Sequence, residues 1–269
     1  MPGVFNAATA RLVERAGFDA FYISGAGLAN ATAGVPDIGL LTLTEVAQLA
    51  GYIAAAVKIP ALLDADTGFG SVQNVARTVQ SLERAGIAGI HLEDQTFPKR
   101  CGHVAGKTLI GTAEMADKIA AAVAARTDPD FLIFARTDAR ASEGIDGAID
   151  RARAYLQSGA DGIFPEALQT PDEFRAFARA VKAPLLANMT EFGKSPLLSV
   201  RQLAAMGYRM VIFPQSAFRV SMRASAEMLR DLKRSGTQRK WLGRMQTREE
   251  LYDLLDYDPT DENWPRDNR

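Results

Sequence analysis

Eight short apolar runs, each followed by a segment of helical periodicity, recur along this chain at intervals of roughly 25–30 residues. The apolar runs Gly3–Phe5, Ala20–Ser24, Ala61–Asp64, Gly89–Glu93, Leu132–Arg136, Gly162–Pro165, Leu185–Asn188 and Met210–Phe213 read as strands. Between them, Ala7–Ala16, Leu43–Val57, Val72–Ala85, Ala113–Arg126, Gly147–Ser158, Asp172–Val181 and Val200–Met206 read as helices. Gly17, Gly86, Gly159 and Gly207 stand just past helix ends, where a left-handed cap favours glycine. Strict strand–helix alternation of this kind predicts a parallel α/β fold, a (β/α)8 barrel of the TIM type. A doubly wound open sheet is the runner-up, but it normally stops nearer six strands.

Two further helices are expected over Ser216–Ser235 and Gln246–Leu255. Residues 1–258 then form one barrel domain including these C-terminal helices, and residues 259–269 a polar tail. The connection Asp94–Gly111 departs from the repeat. It is about three times the usual strand-to-helix loop and carries Pro98, Gly102 and Gly106, the marks of a binding loop or lid.

Composition narrows the function classes. The net charge is −1, with no basic block, so nothing attracts a nucleic acid or an anionic membrane. No apolar stretch approaches the roughly 20 residues that span a bilayer; the nearest, residues 50–57, ends at Lys58. The N-terminus lacks the charged and apolar regions of a secretion signal. The single cysteine forms no intrachain disulfide, which suits a reducing compartment, so a cytoplasmic protein is expected.

In a parallel barrel the active site forms at the carboxyl ends of the strands. The polar residues of this chain gather there: Ser24, Asp64 and Asp66, His91 and Glu93, Arg136 and Asp138, Glu166, Asn188 and Thr190, Ser216 and Arg219. Side chains two apart on a strand share a face, so three of these pairs can point into one mouth. Asp64 and Asp66 with Glu93 form a carboxylate cluster whose repulsion a hard divalent cation would relieve. The bland alternative is a pair of loop-capping or salt-bridged aspartates. Cys101 is by default a small buried hydrophobe. Here it follows Lys99-Arg100, and neighbouring cations predict a sulfur that titrates near neutral pH, as nucleophile or as general acid. His91 reads as a hydrogen-bonded core residue, and His103 as a loop histidine of the lid. Ser24-Gly25-Ala26 offers backbone donors for a substrate carboxylate, or is simply a tight loop. The dinucleotide pattern begun by Gly25 and Gly27 fails, because Asn30 replaces its third glycine.

Taken together, SGAGLANATAGVPDIG, LLDADTGFG, HLEDQTFPKRCGH, ARTDA, FPEA, NMTEFG and MQTREELY resemble the isocitrate lyase/phosphoenolpyruvate mutase superfamily, and within it the methylisocitrate-cleaving branch. The likeness runs from about residue 3 to about residue 257, and KRCGH is its most specific segment. It implies a (β/α)8 barrel whose C-terminal helix is swapped between paired subunits of a homotetramer. It implies a carbon–carbon lyase that cleaves (2S,3R)-2-methylisocitrate to pyruvate and succinate in propionate degradation by the methylcitrate cycle. Asp64 and Asp66 would hold Mg²⁺, directly or through water, with Asp37 and Glu93 nearby; Mn²⁺ is an expected substitute. Ser24, Gly25, Ala26, Cys101, Gly102, Arg136, Glu166, Asn188, Thr190, Arg219 and Arg248 would contact a tricarboxylate or dicarboxylate substrate. Phe164, in FPEA, stands where isocitrate lyases generally carry tryptophan. Members of the superfamily usually have a helix ahead of the first strand, whereas MPGVFNA starts almost on that strand.

On this reading Cys101 protonates the departing carbanion, Lys99 and Arg100 hold its charge, Arg136 stabilises the carbanion, and His103 belongs to the same loop. Tyr22 is the candidate base. The rivals are a lyase for 2,3-dimethylmalate or isocitrate, an oxaloacetate decarboxylase, a nicotinamide oxidoreductase and a non-catalytic barrel.

Overall fold

The computed structural model describes residues 1–104 and 106–261; Ala105 of the long loop and residues 262–269 of the expected tail lie outside it. Strands β1 (Gly3–Val4), β2 (Phe21–Ile23), β3 (Ala61–Asp64), β4 (Gly89–Glu93), β5 (Leu132–Thr137) and β6 (Gly162–Pro165) pair in parallel and in chain order. β7 (Leu186–Asn188) pairs in parallel with β8 (Met210–Ile212). Two seams join these sheets. Ile163 bridges Leu185 beside β7, and Pro2 bridges Phe213 after β8. Gly3 N donates to Phe213 O at 2.9 Å, and Phe213 N to Met1 O at 3.1 Å. The first strand therefore neighbours the last, which makes a closed barrel and excludes the open doubly wound sheet.

Period-two alternation decides what fills it. Tyr22, Leu62, Phe134, Phe164, Leu186 and Ile212 point inward as one buried cluster. The alternate residues, among them Phe21, Ile23, Leu63, Ile90, Ile133 and Ile163, pack under the surrounding helices. Gly162 makes room for the interior layer: a Cβ there would collide with the Phe134 ring. The barrel is thus plugged by apolar side chains below its polar mouth.

The helices follow the expected places: α1 (Ala7–Arg15), α3 (Leu43–Ala54), α4 (Val72–Arg84), α5 (Thr112–Ala125), α7 (Pro171–Ala180) and α8 (Val200–Met206). Thr42 with Glu45 and Ser199 with Gln202 close reciprocal capping boxes at α3 and α8. The four glycines expected beyond helix ends have φ from 80° to 103°. α6 (Arg140–Gln157) begins earlier than its periodicity predicts, because Gly144, at φ 75° and ψ −175°, joins a first turn to the main helix. Two elements have no counterpart in the expected pattern: α2 (Gly25–Leu28) with the π-type turn Ala29–Ala33, and a 3₁₀ segment at Arg239–Arg244. The C-terminal helices are α9 (Ser216–Ser235), which buries none of its residues, and α10 (Arg248–Leu254). Among the described residues, no helix is long and apolar enough to cross a membrane.

Candidate active site

A cavity of about 320 Å³ opens at the carboxyl ends of the strands. Thirteen of the residues expected to act together line it: Tyr22, Ser24, Ala26, Asp37, Asp64, Cys101, Gly102, His103, Arg136, Glu166, Asn188, Thr190 and Arg219. Gly25 sits against Asp64, whose Oδ2 lies 3.0 Å from where a Cβ would be. Lys99, Asp66 and Glu93 complete the floor through ion pairs with the lining residues. A larger hollow of about 790 Å³ adjoins Asp66 on its other side, but neither Cys101 nor Arg136 reaches it.

Arg248 is the exception. It opens α10, beyond α9, and α10 is tied to the outside of the barrel: Arg11 of α1 donates to Leu254 O at 3.2 Å and pairs with Asp256 at 2.6 Å. Its side chain does not reach the cavity of its own chain, so the expected substrate contact is corrected to that extent.

The acidic floor is held by one lysine. Lys99 Nζ lies 2.7 Å from Asp66 Oδ1 and also pairs with Asp37. Burial raises the Asp66 carboxyl to about 6, against the opposing pull of Lys99 and with repulsion from Asp64 and Asp37 added. Burial also drives Glu93 well above the usual carboxylate range, although Arg136 Nη1 lies 2.9 Å away. Asp66 Oδ1 and both oxygens of Glu93 are buried without a well-formed hydrogen bond. Their only close partners among the described residues are the cations Lys99 and Arg136, and carboxylate oxygens of this kind are the ligands a hard cation prefers. No three acidic, histidine or cysteine side chains among the described residues converge closely enough to cage an ion alone.

Arg136 is the opposite pole. It is buried, and besides Glu93 it engages Asp138, Nε to Oδ2 at 2.9 Å and Nη2 to Oδ1 at 3.2 Å. Burial alone would raise the Glu166 carboxyl, but Arg136, with His103 and Lys107 behind it, overrides that and holds it far below its ordinary value. His103 Nε2 lies 3.0 Å from Glu166 Oε1, and its Nδ1 accepts a hydrogen bond from Lys194 N at 2.9 Å. That fixes the tautomer, with the proton on Nε2 facing Glu166. His103 is accordingly a brace between the long loop and the loop after β7.

Cys101 stands at the rim, exposed and in no disulfide. Its thiol is pushed above its ordinary value, first by burial of the side facing the cavity, with Asp37 and Glu166 adding to it. The expected lowering by Lys99 and Arg100 is not found, because Lys99 turns away into the acidic floor. A thiol held protonated is equipped to donate a proton, not to attack. Tyr22 also departs from expectation. Burial and then Asp64 push its hydroxyl well above its ordinary value, so it is a poor base. Its OH lies 2.9 Å from Nε2 of His91, and burial lowers that ring to about 4, leaving it neutral.

Sequence reasoning passed over three residues here. Asp94 is fully buried and accepts from Asp138 N at 2.9 Å, Thr137 Oγ1 at 2.8 Å and Tyr155 OH at 2.8 Å, so it anchors the end of β5. Lys107 Nζ reaches Asp138 Oδ1 at 2.6 Å. Gln215 Nε2 donates to Ser24 Oγ at 3.3 Å. Asp94 lay in plain view as the neighbour of Glu93; Lys107 meets Asp138 because β4 and β5 are neighbours, and Gln215 meets Ser24 only because the barrel closes.

Residues 1–233 match the phosphoenolpyruvate phosphomutase family. The chain is 54% identical over 256 residues to a 2-methylisocitrate lyase of Aeropyrum pernix, covering 95% of this chain and 82% of that protein. It is 48% identical over 256 residues to a 2-methylisocitrate lyase of Escherichia coli, covering 95% and 86%. Among solved structures, a 2,3-dimethylmalate lyase superposes with a TM-score of 0.90 at 37% identity, over 94% of this chain and 85% of that one. A phosphonopyruvate hydrolase solved with oxalate and Mg²⁺ gives 0.86 at 35%, over 95% and 89%. The matched span takes in the barrel strands and the cysteine loop alike, and the chain belongs to the phosphoenolpyruvate phosphomutase family.

Proposed function

We propose that this chain is a carbon–carbon lyase that cleaves (2S,3R)-2-methylisocitrate to pyruvate and succinate, with Mg²⁺ bound near Asp64 and Asp66 and Mn²⁺ able to replace it. The observation that carries this reading is the convergence of Cys101, Asp37, Asp64 and the buried Arg136 on one small cavity at the carboxyl ends of the strands. Identities of 47–54% to curated 2-methylisocitrate lyases support the substrate.

Asp64 and Asp66 would hold the ion, with Asp37 and Glu93 nearby. When bound, it supplies a Lewis acid for the α-hydroxycarboxylate end of the substrate. Ser24 and the first N–H groups of α2, at Gly25 and Ala26, receive the carboxylate of the pyruvate-forming part. Removal of the C2 hydroxyl proton falls to the acidic floor, and Tyr22, held protonated, donates a hydrogen bond. Arg136, Asn188 and Thr190 stabilise the charge that develops on the succinate-forming part. Glu166 keeps Asn188 in place, with Asn188 Nδ2 at 3.3 Å from Oε2. Cys101 delivers its proton to the carbanion. Phe164, buried beneath Arg136 at 5.3 Å, leaves space that a tryptophan would fill, which favours the methyl-bearing substrate.

The assembly belongs to the same proposal: a homotetramer in which α9 is exchanged between paired subunits. Its support is that α9 buries no residue, while Val220, Met222 and Leu229 are each more than half exposed. Arg248 would then serve a neighbouring subunit's cavity. A cytoplasmic location fits the unpaired Cys101.

The test is a panel assay of keto-acid release from methylisocitrate, isocitrate, 2,3-dimethylmalate and oxaloacetate. Methylisocitrate is expected to give the highest kcat/KM; a preference for 2,3-dimethylmalate, the substrate named for the structural relative above, would replace the reading. EDTA is expected to abolish turnover and added Mg²⁺ to restore it, whereas full metal-free turnover would remove the metal from the mechanism.

Proton competition gives a second expectation. Asp66, raised to about 6, takes up a proton as pH falls through that value, and a protonated carboxyl is a poor ligand. Mg²⁺ affinity in calorimetric titrations should therefore weaken below about pH 6, approaching tenfold per pH unit. An affinity unchanged between about pH 5 and 7 would dissociate Asp66 from the ion.

A further inference from the structure

Lys107 lies on the long loop, outside every motif that points to the chemistry. Its side chain is nevertheless buried, 3% exposed, and its ammonium makes two contacts of different kinds. It donates to the carbonyl of Gly102, the residue after Cys101, and it pairs with Asp138 Oδ1 at 2.6 Å. Asp138 is held from two sides: its carboxylate receives Arg136 twice, and its backbone N–H donates to the buried Asp94. Asp94 is in turn fixed by Tyr155 and Thr137.

Charge adds a second reason for the contact. Arg136 faces three buried carboxylates, Glu93, Asp138 and Glu166, and is itself buried where it lines the cavity. Lys107 supplies Asp138 with its own counter-charge. That leaves more of the Arg136 field for the substrate, since a buried carboxylate otherwise draws fully on its nearest cation.

We propose that Lys107 is a positioning residue: its ammonium pins the Gly102 carbonyl to Asp138, and so sets the Cys101 thiol and the Arg136 guanidinium in register across the cavity. This rests on the lyase function proposed above only for its catalytic readout, because the pinning has a probe of its own. Cys101 is the single cysteine of the chain, so alkylation reports on this loop alone.

The experiment compares the full-length protein with Lys107→Met and with Lys107→Gln, which keeps a donor but no charge. Iodoacetamide labelling is followed as a function of pH; its high-pH plateau reads access to the thiolate independently of the thiol pKa. Loss of a buried charge-assisted contact should shift that plateau about threefold or more, as the loop carrying the exposed thiol leaves its fixed position. With methylisocitrate as substrate, kcat should fall about a hundredfold while KM changes less than about threefold, the pattern of misplaced groups rather than lost binding. A merely structural lysine would lower the thermal midpoint without separating kcat from KM. An unchanged labelling plateau, an unchanged kcat, or a loss carried entirely by KM overturns the proposal. If the unmodified protein proves inactive on methylisocitrate, the functional reading fails while the labelling plateau still decides whether Lys107 pins the loop. Lys107→Gln carries the comparison if Lys107→Met does not fold.

Discussion

Cys101→Ser is expected to lower kcat on methylisocitrate by about 10²- to 10⁴-fold, the range for removing a general acid from a reaction that needs one. Serine keeps the shape of the side chain and a hydroxyl, but its proton is far less acidic than a thiol's. KM and Mg²⁺ affinity should move little, because Cys101 has no part in the acidic floor formed by Asp37, Asp64, Asp66 and Glu93. Steady-state kinetics with calorimetry on the same preparation separates the two. Near-normal turnover by the serine enzyme would assign the proton to another donor, and Tyr22, protonated and lining the same cavity, would be the first to examine.

A single methyl group one residue later should cost nearly as much. The Cβ of Gly102→Ala would intrude on Glu166 Oε1 and Arg136 Nη2. Neither can retreat: Arg136 is locked to Asp138 and Glu93, and Glu166 faces His103 and Asn188. The loop must then rise, taking Cys101 with it, and a displacement of about 1 Å at reacting groups is worth roughly a hundredfold in rate. The thermal midpoint should stay within a few degrees, since the loop contributes little to the barrel core. Gly111→Ala, at the far end of the same connection where a Cβ meets nothing within 4 Å, is the control and should remain active. Full activity in Gly102→Ala would mean that catalysis uses a different loop position from the one seen here.

The barrel was legible because its two periodicities are long-range habits of the chain. Eight apolar runs at even spacing left few topologies, and glycines such as Gly86 and Gly207 punctuated them where helices stop. The carboxylate floor was legible for a related reason: Asp64, Glu93 and Arg136 lie at strand ends, where alternation alone predicts a shared face. α2 was not, since four residues, Gly25–Leu28, are too few to display a helical period. Electrostatic partners were the least readable. Lys99 adjoins Cys101 in the chain, yet its ammonium spends itself on Asp37 and Asp66, so the thiol rises where its neighbours predicted a fall. Lys107 and Asp138 are distant in sequence and opposite in charge, a commonplace until the fold makes them touch. Arg248 carried a substrate contact only through motif likeness, and 20 residues of α9 separate it from the mouth.

The raised thiol also bears on how such a protein endures oxidants. Peroxides and disulfides react with thiolate, and a sulfur kept in the protonated form presents little of it. Cys101 is open to solvent at the rim and is the chain's only sulfhydryl, which would ordinarily mark it for sulfenic acid formation. The burial of its cavity-facing side and the carboxylates of Asp37 and Glu166, which keep it an acid, therefore also slow its oxidation.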